Sequence, residues 1–103
     1  MIQVLVELTV KDFEALAKFE SQALAIVSKY NGRLISAFET ERMPDGSGEE
    51  IHLLEFPNEE SLNNYRNDSA LANLTSLRES AILATQIKLS KRQKNYVSSS
   101  QNT

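Results

Sequence analysis

Five side chains in this sequence are of types that move protons or hold charged ligands: Glu7, His52, Glu55, Tyr65 and Arg78. Glu7 stands in "IQVLVELT" and Glu55 in "EIHLLEF", and each interrupts an otherwise apolar run. If those runs are neighbouring strands, about 4.8 Å apart, and both glutamates share a face, they form a carboxylate pair. Under a cover that excludes water such a pair resists double ionisation, and one member gains a raised pKa suited to general acid or base work. The other reading is that both glutamates lie at strand ends and are simply solvated. Arg78 is of a type to neutralise them or to hold an anionic ligand. Tyr65, three residues after Leu62, fits core packing with a wet hydroxyl as well as a pocket wall. His52 is the only histidine, which excludes multi-histidine metal sites. The lack of cysteine excludes thiolate metal sites, disulfides and thiol nucleophiles. The chain is therefore read without a metal and without a cofactor.

These residues need a scaffold, and 103 residues suffice for one domain that buries roughly two thirds of its unfolded surface. Hydrophobic residues at 41% and charged residues at 24% fit a folded globular chain rather than a disordered one. A net charge of -3 argues against nucleic acid as a partner, since phosphate binding draws on clustered Lys and Arg. The basic run "KRQK" at 91–94 reads as a solvated strand end. "MIQVLVELTV" lacks a basic n-region and a cleavage site, and its apolar run is far shorter than the roughly 20 residues that span a bilayer. A cytoplasmic protein with no membrane partner is expected. "PDGSG" lacks the lysine and helix start of a phosphate loop, and no nucleophile elbow or dinucleotide fingerprint occurs.

Residues 2–9 alternate as a strand, with Ile2, Val4, Val6 and Leu8 on one face and Leu5 and Glu7 on the other. "TVKD" at 9–12 resembles a capping box, and Asp12 can itself cap the helix that runs through Tyr30 with Phe13, Leu16, Ala17, Leu24 and Val27 at helical spacing. Asn31-Gly32 ends it, with glycine expected in the left-handed position. "RLISAFETER" is a second strand, "MPDGSGEE" at 43–50 a hairpin loop and "EIHLLEF" a third strand. Pro57 stops that strand and Asn58 caps a second helix with Leu62 and Tyr65 inward. "NDS" at 67–69 interrupts it, and the helix resumes through Leu71, Leu74 and Ala81. A fourth strand follows over 83–90. Residues 92–103 read as a flexible tail, which leaves a domain of residues 1–91. The order β-α-β-β-α-β predicts an α+β, ferredoxin-like sandwich: a four-stranded antiparallel sheet with both helices on one face and the first and third strands central.

Two helices leave the other face of such a sheet bare. Leu5, Glu7, Ile51, Leu53 and Glu55 are assigned to it, joined by Ile35 and Ala37, while His52 and Phe56 turn toward the helices. Leaving Leu5, Ile35, Ile51 and Leu53 in water forfeits roughly 1.5 to 3 kcal/mol each. That sum rivals a domain's total stability of about 5 to 15 kcal/mol. A homodimer packed through the open sheet face about a two-fold axis is the expected remedy.

"LLEFPNEESLNNYRNDSALANLTSLRESAILATQIKLS" resembles the second half of short bacterial proteins known only as a domain of unknown function within the dimeric α+β barrel superfamily. The shared features are a strand ending in Glu55-Phe56-Pro57, a helix with an aromatic at Tyr65, an apolar segment with Arg78 and a last strand. The likeness spans about residues 1–90, with Arg66 where an aromatic is usual and no glycine closing the last strand. It implies the fold and a dimer. The superfamily includes cofactor-independent monooxygenases, lactone isomerases and haem-degrading enzymes. The expected site is a small-molecule pocket between the sheet and the second helix, lined by Leu5, Glu7, Leu53, Glu55, Tyr65 and Arg78. Its first use is binding a small organic ligand. The alternatives are a cofactor-independent monooxygenase or isomerase with Glu7 or Glu55 as base, and a non-catalytic interaction module.

Overall fold

The computed structural model describes residues 1–97, so the part of the expected tail from residue 98 onward lies outside the described residues. In chain order the elements are β1 (Ile2–Val10), α1 (Phe13–Lys29), β2 (Arg33–Arg42), β3 (Gly48–Phe56), α2 (Glu59–Arg66), α3 (Ser69–Ala72), α4 (Thr75–Ala81) and β4 (Ile82–Leu89). The strands form one antiparallel sheet of order β2-β3-β1-β4, with the first and third strands central as the element order implies. The second helical unit is three short helices, broken at Asn67-Asp68 and again at Asn73-Leu74.

Local chemistry accounts for most boundaries. Asp12 takes an extended conformation and its carboxylate accepts from the backbone N–H groups of Glu14 (2.9 Å) and Ala15 (3.5 Å), satisfying donors that α1 cannot pair internally. Thr9 does not take part. It pairs with Glu49 inside β1, so the capping box proposed from "TVKD" does not form. Asn58 caps α2 as expected, accepting from Ser61 N–H at 2.8 Å.

At the other end of α1 the expectation is corrected. Asn31, not Gly32, holds the left-handed position, at φ 62°. Gly32 N–H donates to Val27 carbonyl and Asn31 N–H to Ser28 carbonyl, both at 3.1 Å, the paired bonds of a Schellman ending. Gly32 is needed for room instead. A Cβ there would lie 2.5 Å from the Phe56 ring and 2.8 Å from Val27.

Alternation divides the sheet. Val4, Leu8 and Val10 are buried under the helices. Val6 and Val4 lie opposite His52 and Leu54, and Leu8 opposite Glu50, so those three β3 residues face the helices too. β2 breaks the rhythm. Its register shifts between Leu34 and Ser36, which places Ala37 opposite His52 and Phe38 opposite Ile51. One inserted residue reverses the faces that follow it, here as far as a second shift between Glu39 and Glu41. Ala37 therefore belongs to the helix side, contrary to the alternation read from sequence, and Phe38 takes its place on the open face. α1 is likewise rotated slightly from expectation, with Phe19 and Ala23 buried and Ala17 exposed.

The helix-side core is two clusters. One joins Leu8, Val10, Leu16, Phe19, Ala23, Ala81 and Ile82, and the other joins Val4, Val27, Phe56 and Leu62. Val6 packs against both.

Asp68 ties the helical layer together. It caps α3 through Ala70 N–H (2.7 Å) and accepts from the Tyr30 hydroxyl (2.6 Å) and the Lys29 ammonium (2.9 Å) at the end of α1. The Tyr30 bond, then that of Lys29, holds its carboxyl down at about 2. A carboxylate lowered from about 3.9 in the unfolded chain contributes stability above that value and loses it as pH falls toward its folded value. Asp68→Asn should lower the thermal midpoint by several degrees at pH 7, and the gap from the wild type should close between pH 4 and pH 2. Equal decrements at both ends of a calorimetric pH series would show that the charge is not what matters.

Candidate functional site

Two periodicities converge on one place beneath the helices. On β3 the helix-facing positions in succession are Glu50, His52 and Leu54. On α1 the stripe facing the sheet runs Leu16, Glu20, Leu24 and Val27, so a glutamate occupies a core-facing slot. Between them is a cavity of about 220 Å³. Val6, Phe19, Leu54, Phe56 and Leu62 supply apolar wall, and Glu20, His52, Tyr65, Arg66, Arg78 and Thr85 supply polar groups. Arg66 and Arg78 are exposed and so mark its mouth.

His52 is 4% exposed and has a carboxylate near each ring nitrogen. Nε2 lies 2.5 Å from Glu50 Oε2, and Nδ1 lies 3.8 Å from Glu20 Oε2. The two contacts differ in kind. The first is a hydrogen bond in which Nε2–H donates to Glu50, and it leaves Nδ1 turned toward Glu20. Burial raises the Glu20 carboxyl above the ordinary range. The attraction of His52 opposes that rise, Glu50 adds to it and Arg78 opposes it again. Tyr65 is pushed up to about 12, by burial first and then by Glu20. Its ring leans on Phe56, with centroids 5.7 Å apart. Arg78 donates from Nη2 to the Thr85 hydroxyl at 2.6 Å, which steadies the side chain and leaves other donors of its fork for a ligand. A carboxyl of raised affinity, a histidine of set orientation and an arginine at the mouth can together move a proton on a molecule whose anionic end is held.

The residues expected from sequence fall into two groups. Tyr65 and Arg78 line the cavity. Leu5 and Leu53 face each other on the opposite side of the sheet, so they do not. Glu7 and Glu55 do not form a pair. Glu7 is opposite Ile51, whereas Glu55 is opposite Gln3, and positions 3 and 7 are separated by on the order of 13 Å along a strand. Glu55 instead binds Arg33 across β2, at 2.9 Å to Nη2 and 3.1 Å to Nε. The physical reason is parity: a pocket between sheet and helices receives only the helix-facing residues of each strand.

Glu20 and Glu50 are the additions. Both had a signal in sequence. Glu50 shares His52's parity, and Glu20 fills the helical slot between Leu16 and Leu24. Among the described residues no group of three or more His, Asp or Glu side chains is arranged to hold a metal ion. No helix among them is long and apolar enough to cross a membrane.

The model of a family described as a domain of unknown function, DUF1330, matches residues 3–96. No curated protein matches. Among solved structures the chain is similar to the protein Atu4242 from Agrobacterium tumefaciens, at 19% identity and TM-score 0.68 over 91% of this chain and 95% of that one. It is similar to RPA0582 from Rhodopseudomonas palustris, a protein of unknown function, at 14% identity and TM-score 0.72 over 91% and 84%. It is also similar to SnoaB from Streptomyces nogalater, a cofactor-independent oxygenase, at 10% identity and TM-score 0.65 over 91% and 94%. At such identities the likeness carries the fold alone.

Glu20 should weigh against folding at neutral pH. A carboxyl raised above its unfolded value of about 4.3 favours the fold below that value, and the advantage is lost as pH rises through the folded value. Glu20→Gln should therefore raise the thermal midpoint at pH 7.5 by a few degrees and leave it unchanged near pH 4. A lower midpoint at pH 7.5 would mean that attraction to His52 outweighs burial.

Proposed function

The chain belongs to the DUF1330 family, and from that premise we propose that it binds a compact organic molecule, apolar with one anionic end, in the cavity on the helix face. The observation that carries this reading is the cavity's division of labour: apolar walls from the sheet and α1, and Arg66 and Arg78 at the mouth. Sites of this make-up, mostly apolar with a few placed polar groups, are the usual form of small-molecule pockets. At about 220 Å³ the space is below the roughly 300 to 1,000 Å³ of drug-sized sites, so the ligand is small. Tyr65, neutral at ordinary pH, offers a hydroxyl along the way.

A second reading, catalysis without a cofactor, is favoured by Glu20 beside His52. SnoaB shows that this fold can host a cofactor-independent oxygenase. Here Glu20, not Glu7 or Glu55, is the glutamate that meets a cavity on the helix face.

The open face has a different task. Leu5, Ile51 and Leu53, with Phe38 at 53% exposure, make an apolar stripe across β1, β3 and β2. Glu7 and Glu49 lie at one end of it and the Arg33–Glu55 pair at the other. We propose that a second copy of the chain covers this stripe, sheet to sheet, because a self-complementary apolar centre with a charged rim suits a two-fold contact.

Both proposals have direct tests. Calorimetric titration with 3-phenylpropanoate should show binding that Arg78→Ala weakens about tenfold, equivalent to about 1.4 kcal/mol, and that Lys88→Ala on the open face leaves unchanged. An equal effect of the two changes would remove the cavity from consideration. Light scattering at micromolar concentration should report a dimer for the wild type and a monomer for Phe38→Asp. A wild-type monomer would overturn the sheet-to-sheet contact.

A further inference from the structure

Glu50, His52 and Glu20 form a line of polar groups, from partly exposed Glu50 through buried His52 to Glu20 in the cavity wall, that folding does not require. Charged groups withdrawn from water are expensive, and apolar residues of similar volume in their place are often neutral or stabilising. His52 lies opposite Val6, the residue that touches both core clusters, so the line occupies the seam where packing would otherwise close. Its three members come from β3 and α1; Glu20 and His52 line the cavity and Glu50 stands behind them. Glu50 at 2.5 Å holds the ring, Nδ1 turns toward Glu20 at 3.8 Å, and Glu20 lines the space in which Arg78, Arg66 and Tyr65 also stand.

We infer that Glu20 is the general base for a 2-oxo carboxylate carrying an apolar substituent, with Arg78 holding the carboxylate and His52 and Glu50 acting as positioning residues behind the base. This rests on the cavity being the ligand site. The step is a keto–enol tautomerisation. Glu20 takes a proton from the carbon beside the oxo group, the electrons of that C–H bond form the C=C bond, and the oxo oxygen becomes an enolate that takes a proton from water. The proton on Glu20 then returns to solvent through the mouth of the cavity, which restores the base. Nothing is oxidised or reduced, so no co-reactant is needed. The groups that face Glu20 and set its charge are His52 and Glu50 on β3 and Arg78 on α4, with Tyr65 of α2 beside it. The apolar walls suit the substituent, and the two arginines at the mouth suit the carboxylate.

Phenylpyruvate is the probe, its enol followed by ultraviolet absorbance and its binding by the shift in thermal midpoint. The wild type should speed enol–keto interconversion about a hundredfold or more over buffer, within the usual reach of a placed acid or base. Glu20→Gln, which keeps the shape, should remove that acceleration while phenylpyruvate still raises the midpoint. Glu50→Gln should lower the rate and displace the acidic limb of the pH–rate profile, and Glu50→Asp should restore part of both, which a purely structural role would not produce. A midpoint shift without acceleration, or acceleration untouched by Glu20→Gln, overturns the assignment of the base and leaves the cavity as a binding site. Neither a shift nor acceleration overturns both.

Discussion

β1 and β3 exchange main-chain hydrogen bonds in a register that sets Ile2 against Phe56 and Val10 against Gly48, and the other elements take their side of the sheet from that pairing. Side chains alternate along each strand, so a slip of one residue would send Val4, His52 and Phe56 to the open face and bring Leu5, Leu53 and Glu55 under the helices. All three of the first set are buried, Phe56 at 1% exposure. Burial of Phe56 then sets the next constraint, because its ring lies so close to Gly32 that only glycine fits where the chain leaves α1. Helix end, sheet centre and the start of α2 meet at that one aromatic ring.

The same pairing explains why the core is not continuous. Positions that an apolar residue would fill on the helix side of β3 and α1 carry Glu50, His52 and Glu20. A buried histidine needs a hydrogen-bond partner, which Glu50 supplies on β3, while Glu20 on α1 stands 3.8 Å from the other ring nitrogen. Packing therefore condenses on either side of this polar seam, around Phe19 on one side and Phe56 on the other, and the space between stays open toward Arg78. Stability given up along that seam is the physical signature expected of a site rather than of a scaffold.

Several features are legible in the amino-acid sequence itself. The strand runs, the caps at Asp12 and Asn58, the stop at Pro57 and the inward turn of His52 and Phe56 all follow from alternation, capping chemistry and proline's missing donor. Thr9 failed as a cap because the sheet ladder claims its backbone, and a ladder bond between central strands outranks a local side-chain bond. Asn31 took the left-handed turn because asparagine tolerates it and the neighbouring glycine was required for close approach. Ala37 takes the helix side rather than the open face because a bulge adds a residue without changing the apolar pattern around it.

The amino-acid order alone determined the α+β architecture, the central place of β1 and β3 and the existence of two chemically distinct faces, because period-two and period-3.6 patterns are local properties of the chain. It also named Tyr65 and Arg78, which the fold brings together in the cavity wall. Only the tertiary structure decided which carboxylates meet. Glu7 and Glu55 share a face but stand at different levels of the ladder, whereas Glu20, thirty residues upstream of Glu50, is brought to His52 by the packing of α1 on the sheet. Spacing along a strand tells which side a residue takes, but proximity between a helix and a strand depends on the angle and offset at which they pack, and those are set by the whole core at once.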